Sequence, residues 1–380
     1  MKIVFMSSGT IKSSLSYRPL SLAKELYKIG HDVYIFAPRF DKYSDFKDEK
    51  ITKIEGVTIV RPFQMKVFSF ELGLISYIIS SIYLLMKLNP DIIHMFKPNP
   101  ITLPALVLKV TKKTPIILDT DDLDTEVMKI EENNALRVTL VALSERLSAK
   151  YAQAITVGSR YLKRLYEEKY KTKIIAHIPN GADFLHTDKI KTSKVFHNKV
   201  VFVGAMNRIN ILEPLFYAVK NLKEQKISMQ TVIIGDGKYL DYFKKITKKL
   251  GINGSVTFLG WIAQNKLDQH IKVGDIGYSY MPDEPTIRAC SSMKVFQYMQ
   301  FGAVPLVSKV GDLPLSIFNG KAGYIAQPNS VTSLTQTIRL ALASKKTRES
   351  KIKYAIQHAP KEYQWTHLAK KIEAVYKKII

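Results

Sequence analysis

Cysteine pairs and membrane-length apolar runs are both missing from this sequence. Cys290 is the one cysteine among 380 residues, which excludes an internal disulfide and suits a reducing compartment such as the cytoplasm. The apolar segment 72–86 contains no charged residue, but its 15 residues are fewer than the roughly 20 that cross a bilayer. We expect a core helix there, with shallow membrane contact as the alternative. The apolar run after Met1 is too short for a signal peptide and predicts a first strand.

Acidic residues are scarce compared with basic ones. The chain has 57 Lys and Arg against 33 Asp and Glu, and its formal net charge is +24. Residues 191–380 carry +17 of this surplus and residues 1–190 carry +7. Such a surplus suits nucleic acid, an anionic membrane surface or phosphorylated ligands. The sequence lacks zinc-ligand spacing, an RNP-type aromatic pattern and a basic low-complexity arm, so we expect no nucleic-acid partner.

Length and hydrophobic rhythm indicate two α/β domains, since 380 residues exceed one ordinary core. Nearly continuous Val- and Ile-rich runs alternate with amphipathic, helix-length stretches, which indicates parallel sheets covered on both faces. Two such sets predict two Rossmann-like, doubly wound domains with ligands at the carboxyl ends of their strands. The predicted strands are 2–6, 32–38, 57–62, 92–96, 116–120, 154–159, 174–179, 200–205, 231–235, 256–260, 276–281, 304–308 and 323–326.

The join between the domains is predicted between Phe184 and His197, where polar residues replace apolar ones. We therefore assign residues 1–188 to the first domain and residues 189–364 to the second.

A short helix that leads into a buried strand is predicted within residues 290–302. Ser291 or Ser292 can cap its amino end, and Gly302 suits the left-handed position just past its carboxyl end. The free N–H groups and positive dipole end of such a helix attract phosphate, and Lys294 adds a full charge in the first turn.

Gln297 lies three residues after Lys294 and so shares its helix face, where a ribose would follow a pyrophosphate. This layout fits a nucleotide diphosphate. The alternative is an amphipathic helix whose lysine is merely solvated.

Six short motifs occur in a fixed order along the chain. They are Lys24-Glu25-Leu26 with Gly30-His31-Asp32-Val33, Asp91-Ile92-Ile93-His94, Ile178-Pro179-Asn180-Gly181-Ala182-Asp183, Ile233-Ile234-Gly235-Asp236-Gly237, Phe258-Leu259-Gly260-Trp261, and Lys294-Val295-Phe296-Gln297-Tyr298-Met299 followed by Gly302 and Pro305. Together they resemble the GT-B glycosyltransferases of family 4 over nearly the whole chain. The resemblance implies that a nucleotide sugar binds the second domain and an acceptor binds the first across a cleft. It also implies that the closing helix, 365–380, returns to the first domain.

The chain departs from the family pattern at the donor site. Gln297 stands where the family usually has a glutamate that accepts hydrogen bonds from ribose, and an amide accepts without charge assistance. Ala289 stands at the second common glutamate, and Glu284 lies too far from Gln297 to replace it without an insertion. Arg208 is present, but the lysine that usually follows it is missing until Lys220. These departures predict weaker or altered nucleotide binding.

Two cations and two glycine turns are the predicted phosphate contacts. Arg208 and Lys294 are the cationic pair. Gly204 follows a strand of the second domain, where close backbone approach would leave N–H groups facing phosphate. Gly9 follows the first strand and resembles the glycine turn that the family places beneath the donor phosphates.

An acidic cluster follows a buried strand of the first domain and consists of Asp119, Asp121, Asp122 and Asp124. An Asp-x-Asp pattern would suggest a divalent ion, as in single-domain GT-A transferases, but the two-domain rhythm argues against it. Asp121 and Asp122 are the predicted catalytic carboxylates, which would accept the acceptor's proton or hydrogen-bond a sugar. For any single one of them, helix capping is the alternative.

His94 and Lys97 complete the predicted acceptor side. His94 matches the first histidine of a His-x-His strand end in some relatives, with Phe96 at the second, and would donate a hydrogen bond to the transferred sugar. A buried structural histidine is the alternative. Lys97, on the loop beyond, is predicted to contact an acceptor phosphate, with a solvated lysine as the alternative.

Residues and resemblance together predict a glycosyltransferase that moves a sugar from a nucleotide-diphosphate sugar to a hydroxyl of a glycan or lipid-linked saccharide. The resemblance implies retention of configuration, and we expect neither a metal nor another cofactor. A nucleotide-sugar epimerase of GT-B architecture and a non-catalytic sugar-nucleotide or membrane-binding homologue are the alternatives. We expect the protein in the cytoplasm, with the inner face of the plasma membrane as a peripheral site.

Overall fold

The structure, a computed structural model, describes residues 1–11, 13–39, 50–65, 70–131, 134–184, 198–271 and 275–380. Within these ranges the chain forms two units, one of Met1–Asn180 with Trp365–Ile380 and one of Gly181–Gln364. Each unit has one sheet with helices packed against it, which confirms the predicted two-domain α/β class. The join predicted between residues 188 and 189 lies outside the described residues.

The first unit is built on an eight-stranded sheet in the order β3-β4-β2-β1-β5-β6-β7-β8. Its strands are β1 Lys2–Ser7, β2 Asp32–Phe36, β3 Ile51–Ile54, β4 Val57–Val60, β5 Ile92–Phe96, β6 Ile116–Thr120, β7 Ala154–Val157 and β8 Ile174–His177. Its helices are α1 Tyr17–Lys28, α2 Phe70–Leu88, α3 Pro104–Thr111, α4 Asp124–Glu131, α5 Ala135–Tyr151 and α6 Arg160–Lys169. The strand order reverses between β1 and β5, so the loops that follow these strands meet at a switch point.

Strand β3 is absent from the sequence-based prediction, and it pairs antiparallel with β4 in an otherwise parallel sheet. Its residues alternate in exposure, as expected for an edge strand, instead of forming the continuous apolar run that marks the central strands. Glu55 and Gly56 join the two strands, and both have positive φ, as a tight hairpin turn requires. A short edge strand of this kind gives too weak an apolar signal to be identified from sequence.

Helix α2 contains the segment 72–86 and is buried on one side only. Tyr77 and Leu85 are fully buried. The opposite side has five exposed large apolar side chains, which are Leu72, Ile75, Ile79, Tyr83 and Met86. The structure is therefore consistent with both the core helix and the shallow membrane contact, because one face of α2 packs in the core and the other faces outward. Within the described parts of the chain, no helix combines the length and apolarity needed to cross a membrane.

The second unit is built on a six-stranded, wholly parallel sheet in the order β11-β10-β9-β12-β13-β14. Its strands are β9 Lys199–Val203, β10 Gln230–Ile234, β11 Val256–Gly260, β12 Ile276–Ser279, β13 Val304–Ser308 and β14 Tyr324–Ala326. Its helices are α7 Ile209–Glu224, α8 Leu240–Lys249, α9 Pro285–Ala289, α10 Met293–Gln300, α11 Leu313–Ser316, α12 Val331–Ala343 and α13 Lys345–Tyr363. The switch point lies between β9 and β12.

The last helix, α14, spans Trp365–Tyr376 and belongs to the first unit. Trp365, Leu368, Ile372 and Tyr376 are buried in the core formed by α1 and the central strands. Their spacing places them on one face of the helix. The chain therefore leaves the first unit after Asn180 and re-enters it at Trp365.

Candidate functional site

Helix α10 ends as the sequence predicts but begins differently. Gly302 has a φ of 73°, and Ala303 N–H donates to the carbonyl of Tyr298, as in a Schellman motif. Ser292 occupies the N-cap position, yet its hydroxyl lies 3.1 Å from Oγ of Ser279 and does not cap the helix. The predicted cap hydrogen bond is therefore wrong for Ser292, whose hydroxyl does not accept from the first N–H groups of α10.

Tyr298 fixes α10 onto the sheet, a role that the sequence analysis did not assign. Its hydroxyl accepts from Val203 N–H at 3.0 Å and donates to the Tyr278 carbonyl at 3.1 Å. A Cβ on Gly277 would lie 2.2 Å from the Tyr298 ring, so strand β12 needs glycine there. A glycine inside an apolar strand was the sequence signal for this close approach.

Lys294 is directed toward the carboxyl end of β9. Its Nζ lies 4.7 Å from the centroid of the Phe202 ring and would be 3.1 Å from a Cβ placed on Gly204. Within the described ranges its ammonium has no ion pair and no hydrogen bond. Burial lowers the pKa of Lys294 to about 8. The structure thus brings Lys294 and Gly204 together and leaves the cation without a counter-ion among the described residues.

Gln297 lies on α10, and 6% of its surface is exposed. Its side-chain amide forms no hydrogen bond within the described parts of the structure. An amide without a partner among the described residues can donate to and accept from a ligand. Ala289 is fully buried at the end of α9 and has no polar group to offer a sugar.

Arg208 precedes α7 and is already paired with a carboxylate. Its guanidinium donates to Glu284 and lies 3.5 Å from the Thr286 hydroxyl. Arg208 is thus engaged by Glu284, which lies 76 residues away in sequence, and its place in a phosphate pair with Lys294 stays a prediction. Glu284 itself is an unpredicted member of this region.

The glycine turns after β9 and β10 are packed against each other. A Cβ on Gly235 would lie 1.9 Å from the Gly204 carbonyl oxygen, and one on Gly237 would lie 2.6 Å from the backbone of Met206. Met206 N–H donates to the Asp236 carbonyl at 2.9 Å. Side chains at Gly235 and Gly237 would clash with this packing, so the two turns approach each other through backbone atoms.

In the first unit, Lys97 lies among three of the predicted carboxylates. Its Nζ is 3.1 Å from Asp121, 2.5 Å from Asp122 and 3.4 Å from Asp124. Burial would lower the pKa of Lys97, but the three carboxylates outweigh it and raise that pKa well above its ordinary value. Lys97 also has a φ of 66°, unusual for a side-chain-bearing residue. It is therefore neither merely solvated nor free to meet an acceptor phosphate alone.

The carboxylates of this cluster differ in charge state. Burial opposes ionisation of Asp121, but Lys97 and Arg18 outweigh it and lower its pKa. Burial, with Asp122, Asp121 and Glu145 nearby, raises the pKa of Asp124 to about 7 despite Lys97. Of these two, Asp121 is therefore the carboxylate that is ionised at neutral pH. The structure brings both predicted catalytic carboxylates, Asp121 and Asp122, together with Lys97.

Asp119 is separated from this group and has a structural role. It forms a bidentate ion pair with Arg18 at 2.9 and 2.8 Å and accepts a hydrogen bond from Thr156 at 2.6 Å. Arg18 and Asp119 are both buried. Arg18 is 101 residues from Asp119 in sequence, and no local pattern identifies the pair.

His94 is fully buried in β5, so its placement does not support the predicted contact with a sugar. Its Nδ1 lies 2.8 Å from the Tyr376 hydroxyl, and its Nε2 lies 3.2 Å from the Thr156 hydroxyl. Burial lowers the pKa of His94 to about 4, despite the Asp119 carboxylate nearby. It is the buried structural histidine of the alternative interpretation.

Gly9 lies in the loop after β1 and is enclosed by its own neighbours. Its carbonyl accepts from the hydroxyls of Ser7 and Ser16, both at 2.9 Å. A Cβ there would lie 2.4 Å from Oγ of Ser13. Close packing within the loop explains this glycine, and its contact with a donor phosphate stays a prediction.

Two parallel α/β units, the second with a cationic helix at its switch point, define a GT-B type of protein. The family model for glycosyl transferases group 1 matches residues 186–358, and that for glycosyltransferase family 4 matches residues 19–184. The chain belongs to these GT-B glycosyltransferases, as the sequence motifs predicted.

Individual relatives agree with this assignment. A lipopolysaccharide 1,2-N-acetylglucosaminetransferase of Salmonella typhimurium is 24% identical over 58% of this chain and 60% of its own length. A sucrose-phosphate synthase from Thermosynechococcus elongatus superposes with a TM-score of 0.78 at 15% identity, covering 100% of this chain and 99% of the other. HepE of Anabaena, solved in complex with UDP, gives a TM-score of 0.68 at 15% identity over 100% of both chains. This chain thus spans about three fifths of the length of the curated relative. The two solved structures have the same fold as this chain.

Proposed function

We propose that this protein transfers a sugar from a nucleoside-diphosphate sugar to a hydroxyl of a saccharide or lipid-linked acceptor. The observation that carries the proposal is Lys294, a half-buried lysine with a lowered pKa and no ion pair within the described residues. Partial desolvation disfavours its charge, and an anionic ligand would offset that penalty. Its position beside Gly204 and in the first turn of α10 suits the pyrophosphate of a nucleotide.

The proposed chemistry is the departure of a nucleoside diphosphate from an oxocarbenium-like sugar. Negative charge then builds on the leaving phosphate, where Lys294 and the first N–H groups of α10 would stabilise it. Each charged hydrogen bond of this kind contributes about 1.5–3 kcal/mol. The Gln297 amide oxygen would accept a hydrogen bond from a ribose hydroxyl. UDP-sugars are the first donors to test because HepE was solved with UDP.

Glu284 and Arg208 would act as one unit beside this site. A diphosphate would share the Arg208 guanidinium with Glu284, whose carboxylate would then be available to sugar hydroxyls. This assignment supplies the carboxylate that Ala289 lacks.

On the acceptor side, Asp121 and Asp122 would orient the attacking hydroxyl, with Lys97 holding both carboxylates in place. We propose that the leaving phosphate takes the acceptor's proton, that configuration is retained, and that no metal takes part. The Lys97 ammonium already supplies a positive charge at the centre of the carboxylate cluster.

We also propose that the protein works as a peripheral protein on an anionic membrane surface at the cytoplasmic side. The outward face of α2 supports this, since it carries the five exposed apolar side chains described above. Residues 70–115, which include α2 and α3, contain five lysines and two acidic residues. Apolar side chains next to lysines are suited to the interface of an anionic bilayer.

Turnover of UDP-, GDP- and ADP-sugars tests the catalytic proposal, with and without saccharide and lipid-linked acceptors and with EDTA throughout. We expect sugar transfer in EDTA at an undiminished rate and release of the nucleoside diphosphate. Interconversion of the donor without transfer would indicate the epimerase alternative. Complete loss in EDTA with recovery in Mn²⁺ would contradict metal independence, and UDP binding without turnover of any donor would indicate a non-catalytic homologue.

Sedimentation with phosphatidylglycerol-containing and pure phosphatidylcholine vesicles tests the membrane proposal. Ile79→Asp should weaken binding to the anionic vesicles by at least about tenfold, because one buried large apolar side chain is worth about 1.5–3 kcal/mol. Leu340→Asp is the matched control, since Ile79 and Leu340 are both 63% exposed and Leu340 lies on α12 of the other unit. Equal effects of the two substitutions, or no binding by the wild type, would contradict the assignment of α2.

A further inference from the structure

Asn180 is the last residue of the first unit before the chain enters the second at Gly181. Although it lies in a connecting segment, it is 2% exposed. Its Oδ1 accepts from Nη1 of Arg18 at 3.2 Å, and its Nδ2 donates to Oδ2 of Asp121 at 3.4 Å. One amide therefore joins the point where the chain leaves the first unit to a proposed acceptor-site carboxylate.

Arg18 fixes the direction of that amide. Its guanidinium also donates to the carbonyls of Ile178 at 2.8 Å and Pro179 at 2.9 Å. Because Arg18 is itself held by the buried carboxylate of Asp119, the segment up to Asn180 is anchored to the sheet. With Oδ1 facing a guanidinium that can only donate, the donor nitrogen of the amide must face Asp121.

We propose that Asn180 is a positioning residue for Asp121, holding its carboxylate on the side opposite to the Lys97 contact. The inference rests on the proposed acceptor role of Asp121. Two donors on one carboxylate restrict its rotation and favour its ionised form. The charged groups around Asp121 are Lys97 after β5, Arg18 on α1, Asp122 on its own loop and Asp124 at the start of α4. Asn180 is the neutral donor in this set and directs the carboxylate without altering the net charge.

The Asn180→Asp variant tests this role because it keeps an acceptor for Arg18, removes the donor toward Asp121 and places a negative charge beside that carboxylate. We expect kcat to fall about tenfold or more, with the KM for the donor unchanged. The acid limb of the kcat profile should move to higher pH, since a new carboxylate beside Asp121 opposes its ionisation. The melting temperature should stay close to that of the wild type, because the anchor formed by Arg18 is retained.

Two further variants separate positioning from folding. The double variant Asn180→Asp with Asp121→Asn can form the same hydrogen bond in the reverse direction, so it should retain wild-type stability without recovering turnover. Asn134→Ala, which removes the N-cap of α5 in the same unit, should lower stability but leave the pH profile unchanged.

The outcomes distinguish this inference from the proposed function. If Asp121→Asn has full turnover, the acceptor role of Asp121 is wrong, and the role of Asn180 is wrong with it. If Asp121→Asn is inactive while Asn180→Asp has wild-type kcat and pH profile, only the positioning role is overturned. Loss of turnover with a shifted acid limb in Asn180→Asp supports it.

Discussion

Lys97 in the first unit and Lys294 in the second are both half-buried, but their surroundings are opposite. Lys97 lies within 3.4 Å of three carboxylates, which hold its pKa well above the ordinary value. Lys294 has an aromatic ring and a glycine as neighbours, and its pKa is lowered to about 8. The positive charge of Lys97 is therefore balanced by neighbouring carboxylates, whereas that of Lys294 has no carboxylate beside it among the described residues.

This difference shows that the counter-charge, and not the lysine, decides what each cation does. A lysine with its own carboxylates stabilises the fold and orients those carboxylates. A buried lysine without them costs stability that ligand binding can recover. Replacing Lys97 with methionine should consequently lower the stability of the fold, whereas replacing Lys294 with methionine should weaken ligand binding.

Lys97→Met should produce the largest change and should act on folding. Removing the cation leaves three carboxylates close together, and breaking a buried ion pair costs about 3 kcal/mol or more. We expect the free energy of unfolding, measured with urea at pH 8, to fall by about that amount. Methionine retains the length of the side chain, and Lys87→Met on the exposed end of α2 is the control.

The pH dependence sharpens this prediction. Asp121 has a lowered pKa in the folded state, so it contributes stability above its ordinary pKa near 4 and loses it as pH falls through the lowered value. The stability difference between wild type and Lys97→Met should therefore be larger at pH 8 than at pH 5 and should shrink further toward pH 3, because the carboxylates that Lys97 neutralises become protonated. A difference independent of pH would show that lost packing, and not lost charge, destabilises the variant.

Lys294→Met should have the second-largest effect, and this effect should be on ligand binding. Loss of one charged hydrogen bond predicts a roughly 10- to 100-fold weaker affinity for UDP, measured by calorimetry, with little change for uridine. The melting temperature of the free protein should stay the same or rise, because a buried charge without an ion pair among the described residues is removed. A large drop in melting temperature, with equal losses for UDP and uridine, would instead assign Lys294 to the fold.

The lowered pKa of Lys294 gives a second readout of the same site. Lys294 loses its proton as pH rises through about 8 in the free protein, so UDP binding should weaken above that pH. Lys294→Met should lack this dependence between pH 7 and 9.

Gln297→Glu should have the smallest effect, because it changes one acceptor beside the cation. A carboxylate accepts stronger hydrogen bonds from ribose hydroxyls, and Lys294 one turn earlier moderates its repulsion with the diphosphate. We expect UDP affinity to be equal or a few-fold higher and discrimination against 2′-deoxy-UDP to increase. Unchanged discrimination in competition binding would mean that Gln297 does not contact the ribose.

The sequence by itself determined the fold class and most of the strands. Continuous Val and Ile runs identify strands buried on both faces, and β5, β6, β11 and β13 have the predicted bounds. Gly302 ended α10 as predicted because a helix end is a local property of the backbone. The edge strand β3 was missed since half of its residues face outward and its apolar signal is weak.

Only the tertiary structure decided which side chains meet. Arg18 pairs with Asp119 across 101 residues, Arg208 with Glu284 across 76, and His94 with Tyr376 across 282. Sequence identified Lys294 as a candidate contact for the donor phosphates and Lys97 as a candidate contact for an acceptor phosphate. Their opposite surroundings arise because the turn after β6 brings three carboxylates to Lys97, whereas α10 is held by Tyr298 where its lysine faces Phe202 and Gly204. Charge state depends on distances between elements, and a linear pattern does not contain them.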